Sequence, residues 1–175
     1  WIGKYYESFK EYQKDAKQAY ELANICKAKF RNYFKLGILA RNEGNYTEAI
    51  GYFKMILRKL ELKSKIYFVD PLEIEYLFKT YTQLAYVYYK QKDYKAAIAM
   101  GEYVMKVVEW YITPENSRDG AFQDFFKVFY GMEEAEVYRN ILRKKLDTIV
   151  AYKILAESYA RTMRPDKAKE YQDKL

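Results

Sequence analysis

Along most of this chain, apolar side chains return every third or fourth position, the period of a helix buried on one face. Tyr5, Phe9, Tyr12, Ala16, Ala19, Tyr20 and Ala23 form one such stripe and predict a long first helix from about Lys4 to Lys29. Turn signals then punctuate the pattern at Glu43-Gly44-Asn45, Asp70-Pro71, Gln91-Lys92-Asp93, Thr113-Pro114-Glu115-Asn116-Ser117, Tyr130-Gly131-Met132 and Met163-Arg164-Pro165. Proline disfavours helix in the residue before it and starts a helix well at its own position, so Pro71 and Pro165 mark starts. The only β-prone run, Ile66-Tyr67-Phe68-Val69, is short and isolated and reads as the apolar end of a connection. The pattern is helix, turn, helix throughout, and the expected class is all-α.

The pattern also repeats. One copy reads Tyr33-Phe34-Lys35-Leu36-Gly37, Ala40, Gly44-Asn45-Tyr46-Thr47-Glu48-Ala49-Ile50, Phe53 and Leu57. A second reads Tyr81-Thr82-Gln83-Leu84-Ala85, Tyr88, Lys92-Asp93-Tyr94-Lys95-Ala96-Ala97-Ile98 and Val104. A third reads Tyr152-Lys153-Ile154-Leu155-Ala156, Tyr159 and Pro165-Asp166-Lys167-Ala168. From the leucine to the second-helix alanine, each spans 13 residues: 36 to 49, 84 to 97 and 155 to 168. A weaker copy places Phe122, Phe126 and Ala135 at matching positions.

These residues resemble the tetratricopeptide repeat, a helix–turn–helix unit of about 34 residues. The small Gly37, Ala85, Ala49, Ala97 and Ala168 would let paired helices approach closely. Tyr33, Tyr81 and Tyr152 would fill the gap to the neighbouring unit. The resemblance implies a right-handed superhelix of antiparallel helix pairs. Residues 1–175 would be one domain: an N-terminal helix or half-repeat over 1–29, repeats at 30–63 and 78–111, a degenerate repeat at 116–148 and a last repeat at 149–175. Leu36 and Leu84 are 48 residues apart, longer than one unit, so helices around Leu60–Leu77 should be lengthened.

Composition narrows the chemistry. The chain has 175 residues with no His and one Cys, Cys26. That removes the commonest general base, the Ser-His-Asp and Cys-His arrangements, and cysteine-based zinc sites. Gly37, Gly44 and Gly51 lack the spacing and lysine of a phosphate loop. Glu133, Glu134 and Glu136, and likewise Glu73 and Glu75, sit where carboxylates complement a helix N-terminus. Cys26 reads as a small buried hydrophobe and Met100, Met105 and Met132 as core filler. No enzyme activity, metal or cofactor is expected. The net charge is +7, and its excess is N-terminal: residues 1–69 hold 14 Lys and Arg against 7 Asp and Glu, residues 70–175 hold 17 of each. No run approaches the roughly 20 apolar residues of a membrane span. The single cysteine suits a reducing compartment, with the cytoplasm as the expectation.

The resemblance places ligands against the first helix of each pair. The exposed positions expected there are Arg31, Phe34, Ile38, Arg41 and Asn42 in the first unit, and Lys79, Thr82, Tyr86, Tyr89 and Lys90 in the second. Asp124 and Lys127 follow in the weak unit, and Lys153, Glu157 and Arg161 in the last. Basic and aromatic side chains so mixed suit an extended acidic peptide. Chaperone-binding members hold a terminal carboxylate with Lys and Asn where this chain has Phe34 and Ile38, so that use is not expected. The expected function is non-catalytic binding of a protein or peptide. Alternatives are a regulatory sensor domain of a longer chain, resembling bacterial peptide-pheromone receptors, and RNA binding. Trp1, Ile2, Tyr5 and Tyr6 suggest packing on an upstream element, a second copy or a partner.

Overall fold

The computed structural model describes residues 13–26, 29–64, 71–112 and 148–175. These form helices α1 (Gln13–Cys26), α2 (Phe30–Asn42), α3 (Tyr46–Ser64), α4 (Pro71–Lys90), α5 (Tyr94–Ile112), α6 (Ile149–Arg161) and α7 (Pro165–Gln172). Among the described residues there is no strand, so the all-α class holds. The chain divides into two compact units, residues 1–62 and 63–175. The calls at Trp1, Ile2, Tyr5, Tyr6, Asp124, Lys127, Met132, the three glutamates at 133, 134 and 136, and the degenerate repeat at 116–148 except its last residue lie outside the described residues.

One turn recurs in each helix pair, and its backbone explains the constant 13-residue spacing. Gly44, Lys92 and Met163 each stand eight residues after the repeat leucine, with φ of 80°, 62° and 57°. The next amide in each turn bonds back to the helix: Asn45 N–H to Ala40 C=O at 2.8 Å, Asp93 to Tyr88 at 3.0 Å and Arg164 to Tyr159 at 3.0 Å. This is the left-handed helix stop that ties off orphan carbonyls. The following helix begins at once, with Ala49, Ala97 and Ala168 N–H bonded to the C=O of Asn45, Asp93 and Arg164. Asp93 adds a side-chain cap, accepting from Ala96 N–H at 3.1 Å. Pro165 opens α7, where its missing N–H costs nothing.

In the first unit, Ala16 and Tyr20 of α1 cluster with Leu36 and Leu39 of α2, and Tyr52 of α3 packs against them. Gly37 faces the Phe53 ring so closely that a methyl group there would overlap it. Ala49, Phe53, Ile56 and Leu60 are buried. Lys17 holds Glu48 at 2.8 Å, tying α1 to α3. The Tyr52 hydroxyl lies 3.3 Å from both Glu21 and Glu48 and can donate its proton to either.

In the second unit, α6 packs on both α4 and α5. Ala151 joins Phe78, Val104 and Val107. Ile154 meets Ala85 and Ala97. Leu155 fills the space above Gly101, where an added Cβ would lie 2.8 Å from the leucine side chain. Ala168 and Tyr171 of α7 close over Leu155, Ala156 and Tyr159. The pair α6–α7 therefore rests directly on α4–α5, although Ile112 and Ile149 are far apart in sequence. The small residues at Ala85, Ala97 and Ala151 allow this approach, since a larger side chain at any of them would push the helices apart.

The repeat tyrosines pack onto the second helix of their own pair. Tyr81 stacks on Tyr103, Tyr152 tilts against Tyr171, and Lys59 lies over Tyr33 at 5.0 Å. Met100 and Met105 border core clusters, as expected for core filler.

Candidate functional site

The expected ligand positions divide between the two units. On α2, Arg31 and Asn42 are exposed, and Phe34, Ile38 and Arg41 are half-buried. Phe34 is spent partly on the core, tilted against Phe53 with ring centres 5.8 Å apart. The Arg41 guanidinium donates to the Asn42 side-chain oxygen at 2.7 Å.

In the second unit, Tyr86, Tyr89 and Lys90 stand on α4 and Lys153, Glu157 and Arg161 on α6. Lys90 is exposed at the end of α4, with its ammonium 5.4 Å from the centre of the Tyr86 ring. Tyr86 and Tyr89 are half-buried against the Ala85, Ala97 and Ile154 cluster. This fixes their positions while leaving one side of each accessible. The Tyr89 hydroxyl donates to Glu157 of α6, and its ring tilts against Tyr94 at 6.0 Å. The bond to Glu157 is the main reason the Tyr89 hydroxyl holds its proton more tightly than usual; partial burial adds to this and the Arg161 charge opposes it. Lys153, Glu157 and Arg161 are all exposed along α6. Lys153 and Arg161 pair with no carboxylate among the described residues.

Two positions differ from expectation. Thr82 is not on this face: it is buried, and its hydroxyl donates to the Phe78 carbonyl at 2.9 Å. In a closely packed helix the short side chain turns back to the preceding turn. Lys79 is engaged by Glu75, one turn earlier on α4. That pairing was readable from the four-residue spacing. The link from Tyr89 to Glu157 crosses 68 residues and leaves no local signal; only alignment of the repeats puts both positions on first helices.

Chemically, this face offers cations, aromatic rings and one carboxylate. Among the described residues no three His, Cys, Asp or Glu gather as a metal would need. No described helix is long and apolar enough to cross a membrane. No family model, curated protein or solved structure matches the chain. The functional reading therefore stands on the residues and their packing.

Proposed function

We propose that this chain is a non-catalytic scaffold of tetratricopeptide-like helix pairs that binds a protein or peptide along the exposed face of α4 and α6. The observation that carries the reading is that face itself: Lys90 at the end of α4 and Lys153 and Arg161 on α6 are exposed cations, and Tyr86 and Tyr89 of α4 are anchored against the Ala85, Ala97 and Ile154 cluster. The thrice-repeated turn and its 13-residue spacing support the repeat architecture. Fixed aromatic rings contribute affinity at low entropic cost, and exposed cations contribute attraction and selectivity for acidic partners. The surface of α7 contrasts with this. Along α7 and the residues after it, the exposed Asp166, Lys167, Lys169, Glu170, Asp173 and Lys174 mix both charges, with Glu170 shared by Lys167 and Lys174.

The test is selection from a random peptide library, then titration of an enriched peptide against the whole chain. Lys90→Glu with Arg161→Glu is expected to weaken binding strongly at low salt and less at high salt. Tyr86→Ala is expected to weaken it at both. Unchanged affinity in both variants, with the fold intact, refutes this face as the site.

A further inference from the structure

We propose that α6 reads a charge register in its ligand: two acidic side chains four residues apart in an extended peptide, with a cation or hydroxyl midway between them. The proposal rests on the reading of the α4–α6 face as a peptide site.

Lys153, Glu157 and Arg161 follow one another at four-residue steps on α6 and are exposed. A helix rises 1.5 Å per residue, so the three stand about 6 Å apart, with the cations about 12 Å apart along the axis. Tyr89 holds Glu157 toward α4, and Lys153 and Arg161 stand one turn before it and one turn after it on α6. The ligand therefore meets positive, negative and positive charge in sequence. An extended chain rises about 3.3 Å per residue and shows every second side chain on one face, about 6.6 Å apart. Positions i, i+2 and i+4 then fall opposite Lys153, Glu157 and Arg161 to within roughly 1 Å. A carboxylate at i+2 would meet Glu157 and be repelled. A lysine or serine there would be accepted, because the Glu157 carboxylate retains lone pairs beyond the one Tyr89 uses.

Two synthetic heptapeptides of identical composition test this: Gly-Glu-Ala-Lys-Ala-Glu-Gly and Gly-Lys-Ala-Glu-Ala-Glu-Gly. They are too short to form stable helices in water. NMR titration of the whole chain at low salt reads weak affinities directly. The first peptide is expected to bind about fivefold more tightly, the size given by one or two exposed ion pairs. Glu157→Gln keeps the oxygen that accepts from Tyr89 and removes only the charge, and it is expected to abolish the difference by weakening the first peptide and improving the second. Equal binding of both peptides, unaltered by Glu157→Gln, overturns the register and leaves the face standing. Failure of both peptides to shift any α4 or α6 resonance overturns the face, and the register with it.

Discussion

Two glycines in successive helices give the sharpest test of the packing. At Gly37 a Cβ would lie 2.5, 2.7 and 2.9 Å from three Phe53 ring carbons. Comfortable carbon contacts are about 3.5–4.0 Å, so the ring would have to retreat by about 1 Å. Phe53 is fully buried and already leans on Phe34, so it has little room to move. Overpacking of this kind costs about 1–3 kcal/mol. Gly→Ala in a helix interior returns about 1 kcal/mol through propensity. Gly37→Ala is therefore expected to destabilise by about 1 kcal/mol net, and Gly37→Leu by more. Gly51 is exposed in α3 with no heavy atom near its would-be Cβ, so Gly51→Ala gains the propensity alone and should stabilise by about 1 kcal/mol. The same chemical change thus has opposite signs about 2 kcal/mol apart. Urea melts of the three proteins read the difference. Phe53→Leu with Gly37→Ala should show a favourable coupling of about 1 kcal/mol, since the smaller side chain relieves the clash. If Gly37→Ala stabilises as much as Gly51→Ala, the proposed contact between α2 and α3 is wrong.

Two further outcomes are expected beyond the binding tests. Met163 is 91% exposed and holds φ 57°, so Met163→Gly removes left-handed strain without losing packing; it should stabilise by about 0.5–1 kcal/mol and raise the thermal midpoint. Burial first, and then neighbouring carboxylates, raise the proton affinity of the Tyr52 and Tyr159 hydroxyls above the ordinary tyrosine value of about 10. A raised folded value favours the protonated form, so this stability is complete below about pH 10 and is lost as pH climbs above it. Urea midpoints should fall from pH 9 to pH 11, less steeply in Tyr52→Phe with Tyr159→Phe; equal slopes would count against these buried hydroxyls as the cause.

The sequence by itself determined the all-helical class and the turns at 43–45, 91–93 and 163–165, though it ran the first helix on to Lys29, which is extended and stands before α2. Its signals there are local: the positive-φ residue, the back-bonded amide and the next helix start all lie within ten residues of the leucine's helix end, so a spacing of 13 residues records them. The apolar period marked the buried sides, and Leu36, Leu84, Leu155 and the alanines 49, 97 and 168 are all in the core. Tertiary structure alone decided which helices meet. It divided the chain at residues 62 and 63, and it set α6 directly on α4 and α5. It also chose the partners of two tyrosine hydroxyls: Tyr89 with Glu157 and Tyr159 with Glu102 are 68 and 57 residues apart. A tyrosine on a helix face announces an apolar plate and a donor, but nothing local names its acceptor. Thr82 shows the same limit from the other side: its place in the repeat reads as surface, and only the packing around α4 buries it. Local bonding is written in nearby residues, whereas the pairing of faces depends on the shape and charge of chain far away in sequence.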